Sequence, residues 1–155
     1  MVNSVNFVKK QTIGVLITAV ATLLALVAFI LYVVNGAATG YFQGSTRVSI
    51  VVMSILSVLF LAGSIVIPQI KLEGFLAKVV PHVGDALRIG AVIMLVASLL
   101  LFIGDRSEGL AYIFMSDLNV LDEIQTPANM ASAYTAITGF VFYGLTWLVA
   151  LVGSF

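Results

Sequence analysis

The chain has 155 residues, of which 61% are hydrophobic and only 9% are charged. Soluble domains carry about 25% charged residues, so this composition excludes a cytosolic enzyme, a nucleic-acid-binding protein and a disordered tail, and it predicts an integral membrane protein. Seven basic residues balance seven acidic ones and cysteine is absent, which leaves no net field to attract polyanions and no thiolate chemistry.

Four long apolar stretches predict four transmembrane helices. They cover residues 12–34, 48–68, 83–104 and 131–153. The first stretch, at 1.5 Å per residue, reaches about 34 Å, which exceeds the roughly 30 Å thickness of the hydrocarbon core of a bilayer. Because barrel strands alternate polar and apolar residues, such uniform runs favour helices. We therefore predict an all-α bundle of four transmembrane helices with short loops, forming one membrane domain over residues 1–155.

A short amphipathic segment separates the second and third stretches. The apolar residues of segment 71–80 fall on one helical face, which predicts a helix lying in the inner membrane interface; a docking helix for a cytoplasmic partner is the alternative. Pro81 is predicted to end this helix and to open the third span. His82, Asp85 and Arg88 share one face, and an interfacial salt bridge is a better interpretation of them than a metal site.

A second amphipathic segment, residues 108–124, precedes the fourth stretch. Its apolar residues are expected to bury against the helix ends or a neighbouring subunit, and its acidic residues to face water or a partner. The candidate interaction surface consists of Leu110, Phe114, Asp117, Leu118, Leu121, Asp122 and Glu123. Connections between bundle helices usually need only about 2–8 residues, so a segment of this length is predicted to be an ordered element.

The distribution of lysine and arginine predicts the orientation in the membrane. With the N-terminus inside, the inner segments 1–11 and 69–88 hold five basic residues, whereas the outer segments 35–47 and 105–130 hold two. Basic residues accumulate on the cytoplasmic side of short loops. We therefore predict that both termini are cytoplasmic.

Small residues recur within the predicted spans and are candidates for helix–helix contacts. Such residues let helix backbones approach closely in a membrane. The candidate packing residues are Thr18, Ala21, Ala25, Gly90, Ala97, Gly104 and Gly139. A stripe of this kind that faced lipid in the folded subunit would instead mark a contact between subunits.

The spans carry no ionisable residue at their centres. Proton-coupled transporters and intramembrane hydrolases normally need one there, and no set of nucleophile, base and orienting group is visible. The sequence therefore predicts a protein that is not an enzyme and that holds no cofactor or catalytic metal. We expect a structural or accessory subunit of a homo- or hetero-oligomeric membrane complex, whose partners are membrane lipid and either itself or other membrane subunits, with no nucleic acid. The alternative is a transporter or channel component lined by serine and threonine residues.

The layout is similar to that of claudins and related tetraspan junction proteins, but their first-loop tryptophan and cysteine pair is absent. The short loops and the stretch LFIGDRSEGLAYIF, residues 101–114, are similar to those of small four-span proteins of Gram-positive bacteria. This similarity rests on no diagnostic motif and transfers no functional residue. It implies a bacterial plasma membrane as the location.

Overall fold

The computed structural model describes residues 2–70 and 74–155, and it describes side chains for residues 13–70, 74 and 78–155. Within these ranges the chain forms five α-helices and one short 3-10 helix. The α-helices are α1 (Val2–Ala37), α2 (Val48–Val66), α3 (Phe75–Met115), α4 (Leu118–Ile124) and α5 (Pro127–Val152), and the 3-10 helix, Ile67–Gln69, follows α2 directly.

Four helical segments of the described chain are long and apolar enough to cross a membrane. They are Ile13–Ala37, Val48–Gln69, Lys78–Met115 and Pro127–Val152. The shortest has 22 residues, which corresponds to about 33 Å of helix. The prediction of an all-α bundle with four transmembrane helices is therefore confirmed.

Helices that follow one another in the chain pack side by side in the bundle. α1 packs against α2 and α5, and α3 packs against the same two helices. Asn35 near the end of α1 bonds to Ser132 near the start of α5, whereas Gly153, just after α5, lies against Ile17 of α1. These two contacts make α1 and α5 antiparallel. We call the end of the bundle that holds loop 38–47 the outer end, and the opposite end the inner end.

The small residues of α1 lie in the interior of the bundle. Thr18, Ala21 and Ala25 are at most 2% exposed, and Ala97 of α3 is half-buried. A Cβ atom built on Gly153 would lie 3.4 Å from Oγ1 of Thr18, so this part of α1 faces the end of α5. Close approach of helix backbones is the arrangement that small residues permit.

Glycines mark two further close contacts between helices. A Cβ atom on Gly139 would lie 2.7 Å from Cε1 of Phe102, and one on Gly90 would lie 3.1 Å from Cδ2 of Phe60. Gly104 differs, because it is exposed and a Cβ atom there would meet none of the described residues within 4 Å. The structure therefore gives Gly139 and Gly90 a packing role within the subunit, and gives Gly104 none.

α3 is longer than the sequence pattern suggests. It runs without interruption from Phe75 to Met115, with Pro81 inside it. One helix therefore contains part of the expected interfacial helix 71–80, the third span and the first half of segment 108–124. Residues 71–73 lie outside the described residues. Pro81 is exposed near the inner end, where water can bond the carbonyl group that loses its partner. No proline follows before Met115, and polar residues such as Arg106 and Glu108 propagate a helix well.

The charged residues near the start of α3 form the expected pair. Arg88 Nη1 lies 3.6 Å from Asp85 Oδ1, one turn away on the same helix. The ring of His82 instead bonds through Nδ1 to the carbonyl of Lys78 at 3.0 Å. Within the described residues, the ion pair at the inner end therefore joins two residues of the same helix, α3.

Candidate functional site

The outer end of the bundle holds a buried arginine. Arg106 lies on α3 and is 1% exposed. Its Nε donates a hydrogen bond to Asn35 Oδ1 at 2.9 Å, and its Nη2 donates to the carbonyl oxygen of Ser45 at 2.6 Å. A buried charge is costly unless its donors are satisfied. These two bonds therefore join α3 to the end of α1 and to loop 38–47.

Three aromatic rings surround the guanidinium group. Its Cζ atom lies 4.8 Å from the ring centre of Phe42, 5.7 Å from that of Phe102 and 6.0 Å from that of Tyr32. Guanidinium groups within about 6 Å of a ring centre are stabilised by its electron-rich face. The rings of Tyr32 and Phe102 also pack edge to face at 4.9 Å, so they form a rigid wall around the charge.

Asn35 extends the hydrogen-bond network to α5. Its Nδ2 donates to the carbonyl oxygen of Ser132 at 2.8 Å, and the hydroxyl of Ser132 accepts from the backbone N–H of Phe42 at 3.3 Å. Asn35 and Ser132 are both buried. We call Arg106, Asn35, Ser45 and Ser132 the Arg106 network; it connects α1, α3, α5 and loop 38–47.

The surface above this network carries an ion pair. Arg47 Nη2 lies 3.0 Å from Asp105 Oδ1, with the two side chains 50% and 19% exposed. The backbone N–H of Arg47 donates to the hydroxyl of Tyr32 at 2.7 Å. An open cavity of about 380 Å³ lies here, lined by residues 44–47, Asp105 and Arg106. The site thus combines two guanidinium groups and one carboxylate.

Gly109 allows loop 38–47 to lie directly on α3. A Cβ atom at this position would lie 2.5 Å from ring atoms of both Tyr41 and Phe42. The ring of Tyr41 also packs against that of Tyr112 at 6.1 Å. Because the loop lies this close, Phe42 reaches the face of the Arg106 guanidinium group.

The apolar residues of the candidate interaction surface divide into two groups. Leu110, Phe114 and Leu121 are half-buried, and the ring of Phe114 lies 6.1 Å from that of Tyr134. Leu118, by contrast, is 80% exposed. The structure therefore packs the first group on the subunit itself and leaves Leu118 uncovered.

The polar part of the same segment lies at the surface. Asp117, Asp122 and Glu123 are exposed, and Asp117 is the N-cap of α4 with extended backbone angles. Gln125, which follows α4, donates from Nε2 to the carbonyl of Ile113 at 3.0 Å. Segment 108–124 thus consists of the end of α3, a short turn and α4.

Hydroxyl groups inside the bundle mostly bond to their own helices. The hydroxyls of Thr18, Ser57 and Thr146 each donate to the carbonyl one turn earlier at 2.6–2.8 Å. Ser54 and Tyr143 share a buried hydrogen bond of 2.6 Å, which links α2 to α5. These groups are therefore occupied within the subunit.

The fold and the site together define a four-helix integral membrane protein whose outer end is held by a buried arginine. No protein-family model, curated protein or solved structure matches the chain. What the protein does must therefore be inferred from its own residues.

Proposed function

We propose that this protein is a non-enzymatic subunit of a homo- or hetero-oligomeric membrane complex, and that segment 108–124 is its contact surface. The exposure of two apolar side chains beyond the bundle carries the proposal: Met115 is 83% exposed and Leu118 is 80% exposed. Met115 lies nine residues after Arg106 on α3, which is about 14 Å of helix. Exposed apolar side chains with a polar rim at the end of a helix bundle are candidates for a contact surface.

The surroundings of Leu118 support the same interpretation. Asp117, the N-cap of α4, and Asp122 and Glu123 within α4 are all exposed. An apolar centre with a polar rim is the usual composition of a contact between proteins. The bonds from Gln125 to α3 and from Asn129 Nδ2 to the carbonyl of Ile124, at 3.0 and 2.8 Å, hold the surface in one shape, which lowers the entropic cost of binding.

The alternative, a transporter or channel component lined by serine and threonine, has less support. The ring of Phe102 packs against those of Phe140 and Tyr143 at 4.7 and 5.9 Å in the interior of the bundle. Ser54 and Thr146 bond to carbonyl groups of their own helices. A transport pathway lined by hydroxyl groups would therefore require several subunits to assemble or the helices to rearrange. This alternative stays a prediction.

A crosslinking experiment tests the contact surface. We expect a benzophenone photo-crosslinker attached to Leu118→Cys to give one protein adduct of discrete mass in intact membranes, because the side chain lies at the proposed contact. Val48→Cys is the matched control, since Val48 is 74% exposed at the same end of the bundle. Equal adducts from both positions, or only monomer on native gels at every concentration, would contradict the proposal.

We further propose that both termini are cytoplasmic and that the membrane is a bacterial plasma membrane. The excess of basic residues in the segments assigned to the inner side supports this orientation. With no native cysteine to interfere, an impermeant thiol reagent should label Glu123→Cys on intact cells. It should label His82→Cys only after lysis, and the reverse pattern would invert the orientation.

A further inference from the structure

Among the described residues, the lining of the cavity beside Arg106 holds two arginines and one aspartate, which leaves one positive charge in excess. Arg47 and Asp105 pair with each other at 3.0 Å. Arg106 lines the same cavity, and within the described residues its hydrogen-bond acceptors are the neutral oxygens of Asn35 and Ser45. A guanidinium group attracts an anion and can donate charge-assisted hydrogen bonds to it. The charge therefore favours an anionic ligand.

The hydrogen-bonding capacity of Arg106 indicates which kind of anion fits. A guanidinium group has five N–H donors, and within the part of the chain that the structure describes two of them have protein acceptors. Arg47, half-exposed on the same cavity, brings a second guanidinium group. Two planar groups with spare donors match the oxygen atoms of a phosphate.

The start of α2 contributes to the same electrostatic field. α2 begins at Val48, and the side chain of its N-cap residue, Arg47, does not bond to the first turn. The positive end of the α2 dipole lies beside Arg47, which favours an anion near this position.

The position of the cavity in the fold identifies the source of the phosphate. α1 ends at Ala37 and α2 begins at Val48, and both are transmembrane helices, so the loop between them lies at the membrane boundary. Lipid headgroups occupy the layer just outside the hydrocarbon core. We propose that the cavity formed by residues 44–47, Asp105 and Arg106 binds the phosphate group of a membrane lipid.

Substitutions of Arg47 and Asp105 should change phosphate binding in opposite directions. Arg47→Gln removes one guanidinium group from the cavity, so phosphate binding should weaken by about tenfold. Asp105→Asn removes the carboxylate that competes for Arg47, so phosphate binding should tighten by about threefold. Arg88→Gln, on the same helix at the inner end, is the control and should bind as the unchanged protein does.

The measurement is native mass spectrometry of the full-length protein in mild detergent, titrated with dioleoylphosphatidylglycerol. Dioleoylglycerol has the same acyl chains without phosphate and should give no adduct that depends on Arg47. Inorganic phosphate at millimolar concentration should leave the lipid adduct in place; if it displaces the lipid, the site belongs to free phosphate and the lipid assignment is overturned. Equal phospholipid binding by the unchanged, Arg47→Gln and Asp105→Asn proteins also overturns it.

Discussion

Replacing Arg106 by methionine is expected to lower the free energy of unfolding by about 3 kcal/mol, since each hydrogen bond to a charged group contributes about 1.5–3 kcal/mol. Methionine retains much of the apolar length of arginine, so the change removes the charge and its donors more than volume. Asn35 Oδ1 and the carbonyl of Ser45 then lose the donors that they have in the folded protein. Denaturant-induced unfolding in mild detergent measures the loss.

Arg47→Gln is the matched control for this prediction. The Arg47 side chain is 50% exposed and its partner is a carboxylate at the surface, so the loss is expected to stay within about 1 kcal/mol. A second control is the double variant Arg106→Met with Asn35→Leu, whose loss should be smaller than the sum of the two single losses because the residues share one bond. If Arg106→Met and Arg47→Gln cost the same, the Arg106 network does not stabilise the outer end.

The transmembrane helices could be predicted from the sequence because their signal is local. Each span needs only a run of about 20 apolar residues, and the second run begins at Val48, as α2 does. The fourth transmembrane helix, α5, begins at Pro127, four residues before its apolar run. Thr126 caps that helix by accepting from the N–H of Asn129 at 3.2 Å, so a capping signal determines the start there rather than hydrophobicity.

The Arg106 network could not be predicted in the same way, because it depends on contacts between distant parts of the chain. A charged pair after an apolar run is ordinarily the start of a loop, and Arg106 follows Asp105 at such a point. One signal was nevertheless present. Phe102, Arg106, Gly109 and Ile113 have helical spacing and are all buried, which places the arginine on the inward face of a helix that continues past it.

The partners of Arg106 carry no comparable signal. Asn35 and Gly36 together indicate a helix end, and Ser45 binds through its backbone carbonyl, which any residue could supply. Ser132 also bonds to Asn35 through its carbonyl. Where backbone atoms make the contacts, the side-chain sequence does not encode them locally, and only the packing of the four helices brings them together.

Loop 38–47 contains two glycines with positive φ angles, and the one at position 40 has a second constraint. Gly40 has φ +141°, and a Cβ atom on it would lie 2.6 Å from the carbonyl oxygen of Ala128 and 2.7 Å from Cβ of Ser132. Both obstacles belong to α5 and one of them is backbone, so neither can rotate away. We expect Gly40→Ala to lower the free energy of unfolding by about 4 kcal/mol, through backbone strain and overpacking together.

Gly44→Ala separates these two causes. Gly44 has φ +79°, but a Cβ atom there would meet no atom of the described chain within 4 Å, so only the backbone cost of about 1–2 kcal/mol is expected. Thermal unfolding of both variants in the same detergent gives the comparison, and equal losses would rule out the contact with α5 as the larger cause. Gly40 lets loop 38–47 pack against α5, and this loop carries Phe42 and Ser45. Gly40→Ala should therefore also weaken the Arg106 network. The double variant Gly40→Ala with Arg106→Met should therefore lose less free energy of unfolding than the sum of the two single losses. Strict additivity would show that the packing of the loop and the burial of the arginine stabilise the protein independently.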